Sequence, residues 1–483
     1  MEVMVKKSKQ VVEPVVPVVD GTTLPMGWEL KTIDAICRKV EKTDPKQVPG
    51  KEIKYIDIGG IDNQLLRIVD TKSYLGKDAP SRARQLVKAN DVVISTVRTY
   101  LKNIALVPDD LDGQVASTGF CVLRTGDPWL GKYLYYFVQS DAVLKEIGKQ
   151  QRGSSYPAVR DSDIKAQFIP VPPKQDLRQI VESIELQLGR LDAAVARLQG
   201  AKARLKRYKQ AVLKAAVEGR LTEEWRENRA AFQSEADWHQ QLLTTRKRNQ
   251  LSELAAKGKK AGDKAYKVPV SIESLDATDT ELEELPNGWT WATADEITIM
   301  ITDGEHATPP RTDSGVPLLS ARNIRDGWIS FETIDHVSEE THEKLAKRLR
   351  VQEGDVLLSC SGSVGRCCVA PSDSHFSLVR SVAVLRPILK MGSYLSYAIR
   401  SPLVQAQINS RKTQTAQANI FQGKIKQLAI PMPQLDEQKA IVAALDSILS
   451  ATDEMESSLD AQFQQAIRLR QAVLRRAFEG RLV

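Results

Sequence analysis

The stretch KQAVLKAAVEGRL, Lys209 to Leu221, returns as RQAVLRRAFEGRL, Arg470 to Leu482. Gln210, Ala211, Val212, Leu213, Ala216, Glu218, Gly219, Arg220 and Leu221 recur unchanged at a constant offset of 261 residues (210 to 471, 219 to 480). A period this long marks two copies of a whole module, because solenoid repeats run about 20–50 residues. Upstream of each copy, apolar residues recur at spacings near 3.5. They are Ile184, Leu188, Leu191, Val195, Leu198, Leu205 and Val212 in the first, and Ile441, Leu445, Leu449, Leu459, Phe463 and Val473 in the second. The spacing predicts two long helices, about Gln175–Glu218 and about Leu435–Glu479, each close to 65 Å long at about 1.5 Å per residue. Lys202, Lys209, Thr452, Glu456 and Arg470 interrupt the coiled-coil seams. Gly219 and Gly480 supply the left-handed residue that stops each helix. Neither rod buries its stripe alone, so the two are expected to pair antiparallel, with a β-rich module at each end.

Outward from the helices, the openings also repeat. LPMGWELKTI (Leu24 to Ile33) returns as LPNGWTWATA (Leu285 to Ala294), again 261 residues on. The first module then reads as short β-branched strands, EIKYIDIGGI, NDVVISTV, NIALVP and GFCVLR, followed by a helix over Trp129–Gly148 and a strand QFIPVP. The second offers GVPLLSA, EGDVLLSCSG, CCVAP, SVAVLRP and LAIPMP. Asp91 matches Asp355, and Val122-Leu123-Arg124 matches Val384-Leu385-Arg386, whereas the loops between strands differ. A shared scaffold with divergent loops is the pattern of one fold carrying two specificities. The fold class is therefore α+β with an internal two-fold repeat: two β-rich domains joined by two long helices forming an antiparallel coiled coil. Boundaries fall as a disordered leader 1–20, a first domain 21–172, a central helix 173–231, a flexible basic connector 232–284, a second domain 285–433 and a C-terminal helix 434–483.

Composition narrows the function classes. The 483 residues suffice for about three domains, and the net charge of +7 mildly favours a polyanionic partner. The five cysteines form no C-x-x-C pair and no disulfide framework, which suits a reducing cytoplasm. No run of about 18 apolar residues suggests a membrane span. Catalytic motifs are missing: there is no phosphate loop, no G-x-G-x-x-G after a strand, no Asn-Pro-Pro-aromatic tetrapeptide and no G-x-S-x-G elbow. The five histidines stand without ligand spacing, and no metal site is expected. CSGSVGRCC (Cys360 to Cys368) reads as a Gly-Ser turn rather than a nucleophile, and DGEHATPPR (Asp303 to Arg311) as a loop rather than a catalytic Asp-His pair.

The Pro-x-Gly-Trp openings, the NDVVIS and GDVLLS strands, the PPKQDLRQIV and PQLDEQKAIV helix starts and the EGRL stops occur in duplicated order. Together they resemble the specificity (S) subunit of Type I restriction–modification systems. The resemblance covers nearly everything except 1–20 and about 226–284. The first exit lacks the pair found at Glu437-Gln438. The resemblance implies a non-catalytic subunit whose two target-recognition domains each read half of a split, asymmetric sequence in double-stranded DNA. It implies two docked methyltransferase subunits forming an adenine-N6 enzyme, and restriction translocase subunits for cleavage. S-adenosylmethionine, ATP and Mg would then sit on the partners and no cofactor on this chain.

Base readout needs paired donors and acceptors, Arg for guanine and Asn or Gln for adenine. The variable loops supply Arg98, Tyr100, Lys102, Gln151, Arg152, Ser155 and Tyr156 in the first domain. The second supplies Arg322, Asn323, Arg325, Arg366, Lys412, Gln414, Gln417 and Asn419. Singly, each fits a phosphate contact or a solvated surface group as well as a base contact. Two other readings compete: a coiled-coil scaffold presenting two protein-binding modules, and an enzyme with its own activity.

Overall fold

A computed structural model of the chain describes residues 24–153, 156–229, 231–256, 258, 265–275, 282–413 and 417–483. The expected leader 1–20 lies outside them. The chain divides into two compact units, one running to Gly200 and completed by Leu459–Val483, the other spanning Ala201–Ser458. The division cuts through both long helices, Lys174–Val217 and Leu435–Phe478, so each unit holds a β-rich body and one portion of each helix.

In the first unit, strand Val92–Ser95 lies between Phe120–Leu123 and Ile104–Leu106, antiparallel to both. Alternation explains why all four of its residues are apolar or small. Val92 and Ile94 join Leu123, Tyr133, Leu134 and Phe137 on one face, while Val93 joins Phe120, Val122 and Ile56 on the other. A strand covered on both faces reads as a continuous hydrophobic run. A four-stranded sheet in the order Lys72–Leu75, Glu52–Ile56, Val115–Ser117, Ala83–Leu86 completes the body. The expected single helix over Trp129–Gly148 is two, Pro128–Phe137 and Asp141–Gly148, because Ser140 is extended (φ −65°, ψ 132°). The core then closes on helix residues: Leu177, Ile180, Val181, Ile184 and Leu188 from one, Leu474, Ala477 and Phe478 from the other. Phe478 meets the rings of Tyr133 and Phe137 edge-on, each at 5.1 Å.

The second unit repeats this plan. Its four-stranded sheet runs Thr298–Asp303, Val382–Pro387, Val356–Ser359, Cys367–Val369, again covered on both faces. The matched residues noted in sequence turn out to be buried partners. Arg124 donates to both carboxylate oxygens of Asp91 (Nε 3.0 Å, Nη2 2.7 Å), and Arg386 to those of Asp355 (both 2.8 Å). Tyr133 Oη donates to Pro170 O at 2.7 Å, and Tyr394 Oη to Pro431 O at 2.6 Å. Gly219 (φ 75°) and Gly480 (φ 66°) end the helices, and a side chain at either would strike Pro286 or Pro25 of the Pro-x-Gly-Trp openings. That contact explains why the helix stop and the module opening repeat together.

Residues that interrupt the seams pair across it. In the second unit Lys209 Nζ reaches Asp453 (2.5 Å) and Glu456 (2.7 Å), while Thr222 Oγ1 donates to Glu437 (2.7 Å), so the two portions run antiparallel. In the first, Arg470 pairs with Asp192 at 2.7 Å. Thr452 is buried and donates to Leu449 O.

The connector corrects an expectation. Its lysine-rich composition predicts a flexible segment, whereas Glu235–Ala256 is a helix whose Trp238 and Leu242 enter the second unit's main core. Trp238 Nε1 donates to Met432 O (3.0 Å), and buried Arg246 donates to Asp295 O and Thr298 O through Nε and to Lys267 O through Nη1. The basic composition concealed three apolar or stem-packed anchors spaced four residues apart. Most of the lysine-rich remainder, 257 and 259–264, lies outside the described residues.

Candidate nucleic-acid interface

The first unit gathers its candidate residues from two distant loops. Arg98 N donates to Pro157 O (2.8 Å), Val159 N to Thr96 O (2.8 Å), and Arg152 and Ala158 exchange bonds of 2.9 and 3.0 Å. Arg98 (φ 49°) and Lys102 (φ 56°) occupy the left-handed region, which non-glycine residues hold only where surroundings enforce it. The Arg98 guanidinium lies 4.8 Å over the Tyr156 ring. Gln151 Nε2 donates to Thr99 Oγ1 (2.8 Å), Lys102 pairs with Asp141 (2.5 Å) and Arg152 with Asp163 (2.7 Å). Tyr100 and Tyr156 are 59 % and 71 % exposed, so two aromatic faces stand in solvent beside three cations. Exposed rings can stack with bases and guanidinium groups can meet phosphates. Ser155 lies outside the described residues.

The second unit builds the same junction with other side chains. Gly362 N donates to Ala418 O, Ile420 N to Cys360 O and Thr413 N to Asn419 O, at 2.9, 2.9 and 2.8 Å. These are the Arg98–Pro157, Val159–Thr96 and Arg152–Ala158 bonds over again, with Gly362 (φ 70°) in place of Arg98. Gln417 Nε2 donates to Ser361 Oγ (3.0 Å) and Asn419 Nδ2 to Gln417 O (2.9 Å). Gln417 and Asn419 line an open cavity of about 940 Å³, together with His306, Arg311, Arg380 and Phe421. Arg322 pairs with Asp335 (2.9 Å), as Arg311 does at 3.5 Å. Arg325 and Arg366 are half-buried at turns, and Lys412 Nζ donates to Asn409 Oδ1 (2.7 Å). Gln414 lies outside the described residues.

One candidate is corrected. Asn323 is 1 % exposed; its Oδ1 accepts from Ser320 N and Oγ, and its Nδ2 donates to Ser330 O. The amide closes a turn and has no edge left for a base. Sequence reading also passed over Arg380, Phe421 and Trp328, all exposed. The last two are 66 % and 57 % exposed, and an aromatic between turn residues was the signal available.

The enzymatic alternative meets buried chemistry. CSGSVGRCC is a strand-to-strand turn with Gly362 and Gly365 at positive φ. Burial pushes the thiols of Cys360, Cys367 and Cys368 up to about 12, well away from a reactive thiolate. Asp303 does face His306, at 3.1 Å, but it also accepts from Gln422 Nε2 (2.6 Å) at the cavity edge. Among the described residues no helix is long and apolar enough to cross a membrane.

The family described as type I restriction modification DNA specificity domain matches residues 25–195 and 317–465. The chain belongs to that family. The matched segments take in the Arg98–Tyr156 loops, the Gln417–Asn419 loop, the first half of the helix Lys174–Val217 and most of the helix Leu435–Phe478. The EcoBI type I restriction enzyme specificity subunit of Escherichia coli is 25% identical over 422 residues, 82% of this chain and 80% of that one. The EcoKI specificity subunit of Escherichia coli strain K12 is 25% identical over 372 residues, 75% and 68% of the two chains. A chain solved in work on complex assembly and conformational transition of the type I R-M system superposes with a TM-score of 0.67. It is 27% identical and covers 95% of this chain and 99% of its own length. Membership makes this chain a DNA-recognition subunit, non-catalytic itself, with methylation and cleavage carried by other subunits.

Proposed function

We propose that each β-rich domain reads one half of a bipartite, asymmetric sequence in double-stranded DNA, while the paired helices fix the unread spacer and seat two methyltransferase subunits. The observation that carries this reading is the loop junction built twice from the same backbone hydrogen bonds and filled with different side chains. Backbone anchoring holds position, and the side chains are left to choose bases. In the first domain Arg98, Arg152 and Lys102 supply charge and Tyr100 and Tyr156 supply stacking faces. In the second, Arg322, Arg325, Arg366 and Arg380 supply charge, Phe421 a stacking face, and Gln417 and Asn419 paired donors and acceptors. The complex works in the cytoplasm, adds restriction translocase subunits for cleavage, and carries S-adenosylmethionine, ATP and Mg on the partners.

The helices set the spacer by length. One heptad inserted after Gly200 and another after Ser458 lengthens each helix by about 10 Å at about 1.5 Å per residue. That is about three base pairs at roughly 3.4 Å per step. Methylation profiling of cells carrying the lengthened chain with its methyltransferase is expected to return both half-sites unchanged and the spacer longer by about three base pairs. Altered half-sites with an unchanged spacer would refute the assignment of roles.

A further inference from the structure

Away from the loops, the second unit brings together two imidazoles and a carboxylate that no part of DNA recognition uses. Glu339 and His342 lie three residues apart on the helix Glu339–Arg348, and His375 precedes strand Ser377–Leu378. One ligand atom from each lies within 4.8 Å of the others, the one such group of three found among the described residues. His342 is 6 % exposed and its Nδ1 lies 3.0 Å from Ser377 Oγ. The His375 ring stands edge-on to it at 4.7 Å, and His375 Nε2 is 3.4 Å from a Glu339 carboxylate oxygen.

Two facts separate this cluster from a surface ion pair. Within the triad one carboxylate faces two imidazoles whose rings lie 4.7 Å apart, so full protonation would set two positive rings against each other. One imidazole is also oriented by a hydroxyl at its Nδ1; with the proton on Nδ1 donated to Ser377 Oγ, Nε2 keeps the lone pair a metal takes, and metal-bound histidines are held in this way.

We propose that Glu339, His342 and His375 bind a divalent transition-metal ion of the zinc class, with a fourth position open to water. Bonds of about 2.0–2.1 Å to a tetrahedral ion place donor atoms about 3.4 Å apart. The triad therefore closes by about an ångström on binding. The side chains of Glu339 and His375 are 65 % and 56 % exposed and have room to swing inward, whereas His342 is the fixed point. Paired imidazoles favour zinc-like ions over Ca²⁺ and Mg²⁺, which take oxygen ligands. The ion ties the helix to the strand Ser377–Leu378, which pairs with Val316–Leu319 in the sheet that also holds Asp335, the partner of Arg311 and Arg322. Its role is a clasp that steadies those two arginines.

The test is calorimetric titration of untagged, chelator-stripped full-length chain with Zn²⁺ alone, repeated with Mg²⁺. Binding of one Zn²⁺ per chain and no heat from Mg²⁺ are expected. His375→Ala and Glu339→Gln, both changes at the surface, should each weaken Zn²⁺ binding by at least about tenfold, and Ser377→Ala by about tenfold through the lost orientation of His342. Co²⁺ should give a visible absorption band in the wild type that His375→Ala abolishes. No Zn²⁺ binding, or equal affinity in wild type and in the folded His375→Ala and Glu339→Gln variants, would overturn the proposal. The latter result would place the ion on thiols or other histidines.

Discussion

Replacing Glu437 with alanine removes one acceptor from three donors. The Glu437 carboxylate, on a residue 1 % exposed, accepts from Trp289 Nε1 (2.8 Å), Arg226 Nη1 (2.6 Å) and Thr222 Oγ1 (2.7 Å). Arg226, its side chain 14 % exposed, would keep a charge with no counterion there. Breaking a buried pair from one side costs about 3–5 kcal/mol. An unpartnered indole N–H would add about 1–3 kcal/mol, and the two costs overlap because they share one carboxylate. A net loss of about 4 kcal/mol follows for Glu437→Ala. Glu437→Gln keeps the shape and an acceptor oxygen and loses the charge, about 1.5–3 kcal/mol. At about 2–4 °C per kcal/mol for a unit of this size, the alanine variant melts roughly 8–16 °C lower. Differential scanning calorimetry reads this directly, with only the second unit's transition moving. The control is Asp176→Ala, 261 residues earlier, in the first turn of the other helix, expected within about 1 kcal/mol of wild type. A Glu437→Ala transition shifted by less than about 3 °C would refute the reasoning, since the carboxylate would then contribute under about 1 kcal/mol.

Arg98→Ala and Arg152→Ala should each weaken sequence-specific DNA binding of the methyltransferase complex by about 1–3 kcal/mol where the arginine meets a base, relaxing one position of the site. Binding isotherms on a degenerate site library check this; unchanged affinity and preference in both variants would remove those loops from the reading surface. Burial raises all five thiol pKa values, that of Cys37 to about 11 and those of Cys360, Cys367 and Cys368 to about 12. The unfolded thiols ionise near about 8.5 and the folded ones later, so stability is full below about 8.5 and declines as pH rises toward 11–12. Iodoacetamide should therefore label the native chain slowly at pH 8 and the urea-unfolded chain fast, and a cysteine-free variant should show a flatter fall of urea midpoint above pH 8.5.

The strands were legible because the sheets are covered on both faces, which makes Val92–Ser95 and Val356–Ser359 plain apolar runs. The helix pair was legible from its period, and the polar breaks in it proved to be cross-seam ion pairs such as Lys209 with Asp453 and Glu456. The connector was misread because composition reports average polarity. Trp238, Leu242 and Arg246, with Thr245 beside them, are the buried positions of a helix whose composition is mostly polar. Asn323 was misread for a related reason: an asparagine that closes a turn and one that reads adenine have the same letter, and burial alone separates them. The pairing of loops 97–103 and 149–160 rests on hydrogen bonds between main-chain atoms, which leave no trace in side-chain identity. The duplicated junction shows only once both copies are folded. His342 and His375 are 33 residues apart, and spacing alone could not bring them together.

The place where the chain divides has a consequence for its manufacture. The first unit takes Leu474, Ala477 and Phe478 into its core, the last of them between Tyr133 and Phe137. A ribosome makes those residues more than three hundred positions after the sheet they cover, whereas everything in the second unit has been made by Ser458. The module translated first is thus the last that can finish folding. Until then it waits with an aromatic socket open, a state in which a chaperone or an arriving partner subunit has the most to protect.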